Sequence, residues 1–90
     1  MNNNYIKLKN EYNEIINKNN TIFKKVEYFN GDRYEGEFKN DKREGKGIIY
    51  YKNGDRYEGD FKNDKREGKG IMFYKSGLKE IMTFSSDIKI

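Results

Sequence analysis

The 90-residue chain contains no cysteine and no histidine. Together these absences remove thiol nucleophiles, imidazole bases and the usual ligands of zinc and copper. No metal, cofactor or small-molecule substrate is therefore expected, and any catalysis would rest on carboxylates, lysine or tyrosine. Without cysteine there is no disulfide to brace a domain this small, whose core gains little from burial. A protein partner or self-association is expected to supply part of its stability. No apolar run nears the roughly 18 residues of a membrane span, and Met1-Asn2-Asn3-Asn4 lacks the character of a secretory leader, which predicts a cytoplasmic location. Charge of one sign is scarce as well. Nineteen basic against 15 acidic residues give a net +4, too mixed for a phosphate-neutralising stripe, so nucleic acid is not expected as a partner. The length leaves room for one core and no second domain.

Hydrophobic residues make up 33% of the chain and charged ones 38%, but 16% are aromatic. With so few aliphatic side chains, the rings must carry the core. The dominant pattern is a repeat. Asn30 to Lys52 matches Asn53 to Lys75 at a shift of 23 and differs only at Glu37/Asp60, Ile49/Met72 and Tyr50/Phe73. A unit of that length is one supersecondary element stacked on its copies. Within it, Arg33-Tyr34-Glu35-Gly36-Glu37-Phe38-Lys39 alternates with period two, the mark of a half-buried strand. Asn40-Asp41-Lys42-Arg43-Glu44-Gly45 supplies turn chemistry, and Gly47-Ile48-Ile49-Tyr50-Tyr51 returns as a β-branched and aromatic strand. Asn30-Gly31, Asn53-Gly54 and Ser76-Gly77 mark tight turns one period apart, Asn-Gly favouring the positive φ values of a type I′ turn. The expected fold is all-β, a single-layer antiparallel meander of six hairpin strands: Val26–Phe29, Arg33–Lys39, Gly47–Tyr51, Arg56–Lys62, Gly70–Tyr74 and Lys79–Phe84. Glycines at regular places inside these strands would normally weaken them. A ring such as Tyr34 or Phe38 lying across bare backbone gives them a purpose.

The segment Tyr34-Glu35-Gly36-Glu37-Phe38-Lys39-Asn40-Asp41-Lys42-Arg43-Glu44-Gly45-Lys46-Gly47 and its copy from Tyr57 to Gly70 resemble the MORN (membrane occupation and recognition nexus) motif, whose period is also 23. The resemblance covers full repeats at 34–56 and 57–79, with degenerate half-repeats at Lys24–Phe29 and Ser76–Phe84. The sequence departs from the motif where Phe38 and Phe61 stand for its Trp, Asp41 and Asp64 for its turn Gly, and Glu44 and Glu67 for its His. Those acids weaken any inherited affinity for anionic lipid. In the last strand Glu80 and Met82 replace the motif's Tyr and Gly while Phe84 keeps the aromatic position, so this strand is expected to be a cap.

The chain divides into a leader (1–23), the meander (24–84) and a tail (85–90). In the leader, Tyr5, Leu8, Tyr12, Ile15 and Ile16 fall along one helical face. Either a short amphipathic helix covering the sheet or an unstructured leader of biased composition fits that pattern.

Two surfaces are candidates for function. Lys39, Lys42, Arg43 and Lys46, with their copies Lys62, Lys65, Arg66 and Lys69, fall at one end of adjacent hairpins. They form a basic rim suited to anionic phospholipid, phosphoinositide or phosphatidylserine. Tyr34, Phe38, Tyr57 and Phe61 form an aromatic row suited to a protein partner. Carboxylates alternate at Glu35, Glu37, Glu58 and Asp60, but a paired-acid site needs two distinct environments in a pocket, and ion pairing on a wet sheet face accounts for them. The expected function is that of a non-enzymatic interaction module for protein assembly, with a place beside membranes implied by the resemblance. The alternative is peripheral binding of anionic phospholipid through the rim.

Overall fold

Period-two alternation interrupted by short turns leaves each strand with its sequence neighbour as partner, and a computed structural model, which describes residues 8–16 and 21–90, shows that arrangement. Among the described residues, eight strands lie in one antiparallel sheet in chain order. They are β1 (Leu8–Ile16), β2 (Thr21–Tyr28), β3 (Arg33–Lys39), β4 (Lys42–Tyr50), β5 (Arg56–Lys62), β6 (Lys65–Phe73), β7 (Lys79–Ser85) and β8 (Ile88–Lys89). The all-β meander is as expected, but three local expectations are corrected.

First, Leu8–Ile16 is a strand paired to β2, not part of a helix. Apolar residues four apart satisfy both a helical face and a period-two strand face, and the unpaired backbone groups of β2 favour the strand. Residues 1–7 and 17–20 of the expected leader lie outside the described residues.

Second, among the described residues only Asn40-Asp41, Asn63-Asp64 and Ser86-Asp87 are two-residue turns, and both residues of each have φ between 49° and 73°, the type I′ signature. Lys42 to Gly45 therefore belongs to β4 rather than to a loop, and the expected tail contains β8.

Third, at the Asn-Gly turns only the glycine is left-handed, with φ of 100° at Gly31 and 102° at Gly54. Tyr28 N–H donates to the Asp32 carbonyl at 2.9 Å and Gly31 N–H to the Tyr28 carbonyl at 3.0 Å. These bonds close a three-residue loop of the kind that ends in a left-handed glycine. Asn30 stays out of the left-handed region because its Oδ1 accepts from Asp32 N–H at 2.9 Å, a local bond characteristic of asparagine in turns.

The described molecule measures 34 × 25 × 25 Å. A flat single sheet would be roughly 10 Å thick, so this one is rolled into a trough. Its inner face is set by register. One row reads Val26, Tyr34, Ile49, Tyr57, Met72, Glu80 across β2 to β7, and the next reads Lys24, Gly36, Gly47, Gly59, Gly70, Met82. Four consecutive strands thus place glycine side by side, and the rings of Tyr34 and Tyr57 lie down on that bare strip. A Cβ on Gly47 would collide with the Tyr34 ring, and one on Gly70 with the Tyr57 ring. The strip ends at Lys24 and Met82, both buried, whose unbranched side chains occupy the two flanks where no such tyrosine stands.

Replacing Gly70 by Ala is expected to lower the unfolding free energy in urea by about 1–3 kcal/mol, the range for overpacking. Combined with Tyr57→Leu, which removes the ring, the loss should be smaller than the sum of the two single losses. Strict additivity would show that the ring does not rest on the glycine.

Candidate interaction surfaces

The four rings expected to face a protein partner are interior. Tyr34 and Tyr57 are fully buried, and Phe38 and Phe61 nearly so. They form an edge-to-face ladder, Phe38–Tyr34–Phe61–Tyr57–Phe84, with centroid separations of 5.0, 5.1, 5.6 and 5.4 Å. Interplanar angles of 81° to 89° point ring edges at ring faces, the favourable electrostatic arrangement. Tyr34 also donates its hydroxyl proton to the Glu37 carbonyl at 3.0 Å, and burial holds its phenol protonated well above the usual tyrosine range. Rolling the sheet turned an aromatic stripe into a core.

The basic rim is likewise divided. Arg43 and Arg66 are half-buried above the ladder. The Arg43 guanidinium is 5.4 Å from the Phe61 ring centroid, and that of Arg66 is 4.2 Å from Phe84. At such separations each cation is attracted by the ring face. Both are committed to the next unit. Arg43 donates its N–H to Asp64 Oδ1 at 2.9 Å, its Nε–H to the same atom at 3.3 Å, and its Nη2–H to the Asp64 carbonyl at 2.6 Å. Asp64 N–H returns a bond to the Arg43 carbonyl at 3.0 Å. One unit further on, Arg66 and Asp87 repeat the clasp. Beside it, Glu44 Oε1 accepts from Asn63 N–H at 3.0 Å and Glu67 Oε1 from Ser86 N–H at 2.9 Å. At the opposite end of the strands, Asp32 accepts from Lys52 N–H at 2.8 Å and Asp55 from Lys75 N–H at 2.9 Å. Asp64, Glu44 and Glu67, which read as departures from the motif, are thus the groups by which one unit grips the next.

Lys46 is bound to Asp60 at 2.9 Å. Of the remaining rim residues, Lys39 and Lys42 are cross-strand neighbours, as are Lys62 and Lys65. These four and Lys69 are exposed and make no ion pair among the described residues. The alternating carboxylates are accounted for. Glu58 meets Arg56 at 2.7 Å, Glu35 meets Arg33 at 4.0 Å, and Glu37 accepts from Lys46 N–H at 2.8 Å. Among the described residues no group of three or more acidic, histidine or cysteine side chains is placed to hold a metal ion. A hollow of about 190 Å³ inside the trough is lined by Tyr28, Asn30, Arg43, Tyr51, Arg66 and Asp87. Its guanidiniums already serve the clasps, and Arg66 also donates to the Tyr51 hydroxyl at 3.3 Å.

A further surface escaped the sequence reading. Among the described residues the exposed large hydrophobics are Phe23, Phe29, Leu78, Ile81, Ile88 and Ile90, and none lies in the repeated stretch 30–75. Four gather on the last unit, where Leu78 is 70%, Ile81 71%, Ile88 67% and Ile90 75% exposed. One period back, the same positions hold Asp55, Glu58, Lys65 and Glu67, and two periods back Asp32, Glu35, Lys42 and Glu44. Shifting the sequence by 23 past its region of identity would have found the exchange.

A tandem array of 23-residue hairpins, each clasped to the next across one continuous sheet, defines a β-repeat protein. The family model for the MORN repeat matches residues 34–56 and 57–79, just over half of the chain. The chain belongs to the MORN-repeat family, whose members are known as protein- and membrane-association modules. No curated protein matches it.

The Arg66–Asp87 clasp makes stability pH-dependent. Burial pushes the Asp87 carboxyl up, but the hydrogen bonds and charge of Arg66 outweigh this and hold it below the usual aspartate range. A depressed carboxyl contributes stability above its unfolded pKa of about 3.9, and that contribution is lost as pH falls through the lower folded value. Urea unfolding at stepped pH should therefore show stability falling below about pH 4, with a shallower fall in Asp87→Asn. An equally steep fall in the variant would remove Asp87 from the account.

Proposed function

We propose that the chain is a non-enzymatic interaction module for protein assembly, and that its last unit is the contact surface. The observation that carries this reading is the replacement of charged by apolar residues at Leu78, Ile81, Ile88 and Ile90, four positions whose counterparts one and two periods back are all charged. Each such side chain gains about 1.5–3 kcal/mol when a partner covers it, whereas the charged residues it replaces favour water. A cluster of this kind at one end of a polar sheet marks a protein contact more often than a solvated face. The module works by presenting a rigid surface, and the aromatic ladder supplies the rigidity rather than the contact.

A specific observation favours a second reading, peripheral attachment to anionic phospholipid. Lys39 faces Lys42, and Lys62 faces Lys65, across the two hairpin ends. Like charges directly opposite one another are destabilising, and an anionic surface would relieve them. Each lysine near such a surface contributes about 1 kcal/mol, so attachment would be reversible and weakened by salt.

The test restores the repeat's own residues at the last unit with Leu78→Asp, Ile81→Glu, Ile88→Lys and Ile90→Glu, which should leave the fold intact. Affinity capture from cell extract with the two chains side by side should show protein partners held by the native chain and lost by the variant. Partners retained by the variant would contradict the assembly reading. Co-sedimentation with phosphatidylserine vesicles, absent with neutral ones and abolished by exchanging Lys39, Lys42, Lys62 and Lys65 for Gln, would put the second reading first.

A further inference from the structure

Beyond Met82, the outer edge of β7 is occupied by β8, which pairs Ile88 with Ser85 and Lys89 with Phe84. Ile90 N–H then donates to the Thr83 carbonyl at 2.9 Å. From Lys79 to Met82 no strand lies beside that edge among the described residues. The direction of the Thr83 carbonyl fixes the pattern for the rest of the strand. Backbone groups alternate sides along a strand, and β6 pairs with β7 without a bulge. The N–H and C=O groups of Lys79 and Ile81 therefore point out of the sheet, four hydrogen-bonding groups in a row. An edge left in this state is a template for another strand unless something blunts it, and here Ile81 marks it with exposed apolar surface.

The side chains around the edge indicate what would pair with it. On the outer face, register sets Ile71 beside Ile81, with Lys69 beside Thr83 and Lys79 beside Phe73. Lys69 and Lys79 are exposed and have no ion pair among the described residues. The acids of this region are already engaged: Glu80 with Lys89 at 3.1 Å and with the Tyr74 hydroxyl at 3.0 Å, Glu58 with Arg56, and Asp87 with Arg66. The uncommitted charge beside the isoleucines is therefore positive. A second copy of the chain fits poorly. The antiparallel register that pairs Lys79 with Ile81 in both directions sets Glu80 against Glu80, and like charges directly opposite are destabilising.

We infer that the edge of β7 between Leu78 and Met82 takes an extended protein segment as a further strand, one carrying a carboxylate opposite Lys79 and a branched apolar residue opposite Ile81. The inference rests on the assembly reading above and names its partner's chemistry. Backbone hydrogen bonds to Lys79 and Ile81 supply the pairing, and the two outer-face side chains supply the selection, as in other cases of strand addition.

The test uses the full chain and two synthetic peptides, Val-Val-Thr-Glu-Leu and Val-Val-Thr-Lys-Leu, both capped. Affinity is read by titration and the site by amide hydrogen exchange. The acidic peptide should bind at least tenfold more tightly than the basic one and slow exchange at Lys79 and Ile81. The Ile81→Pro variant should lose that binding and keep its fold, because this N–H points away from β6 and proline is tolerated on sheet edges. Equal affinity for the two peptides, no binding by either, protection confined to other strands, or dimerisation of the chain through this edge would each overturn the inference. If the peptides fail while the restored-charge variant still loses its captured partners, strand addition falls and the assembly surface stands.

Discussion

The structure depends on two tyrosine rings lying flat on glycine. A single-layer sheet has no second layer against which to bury its apolar face, and three or more strands need such a face to be stable alone. Here the sheet rolls and supplies its own second layer: Gly36, Gly47, Gly59 and Gly70 clear a strip across four strands, and Tyr34 and Tyr57 fill it. Phenylalanines stack edge-on against both, and arginines close the top while their far ends clasp the next hairpin. The same residues therefore form the core within a unit and the joint between units, so a repeat with few aliphatic side chains folds at all.

The joint also explains the division of labour along the chain. Units that must receive a neighbour keep Asp, Glu and Arg at the clasp positions. The last unit has Leu78 where Asp32 and Asp55 stand, Lys89 where the clasping arginines stand and Ile90 where Glu44 and Glu67 stand. It still docks backward through Asp87, yet its forward face has lost the polar groups of the repeat and gained apolar ones. On the proposed reading, a surface that has stopped resembling the repeat is where the array would meet a partner.

Much of the fold was legible because period-two alternation and a 23-residue identity constrain strand order and register almost completely. The use of glycine under a ring was legible at Tyr34 for the same reason. The turn types were not, because Asn-Gly at a hairpin end is compatible with two loop lengths, and the choice depends on whether Asn30 bonds its own backbone. The helical reading of the leader fails over Leu8–Ile16 because a spacing of four fits both periods. The candidate site was legible only in part. A stripe of alternating rings looks identical in sequence whether the sheet stays flat and exposes it or rolls and buries it, so Tyr34, Phe38, Tyr57 and Phe61 passed for surface. Arg43 and Arg66 passed for free charge because their partners, Asp64 and Asp87, lie 21 residues away in sequence.

The central claim, that rings seated on bare backbone hold the sheet together, is tested most directly by the proton chemical shifts of the glycine Hα atoms. A proton beneath an aromatic face is shifted strongly upfield, and the rings of Tyr34 and Tyr57 overlie Gly47 and Gly70 while nothing overlies Gly77. Gly47 and Gly70 should each show an upfield Hα that returns to ordinary values when Tyr34 or Tyr57, respectively, is replaced by Leu, with Gly77 unshifted throughout. Ordinary shifts at Gly47 and Gly70 in the folded native chain would mean that the rings do not rest there, and the account of the fold would fail with them.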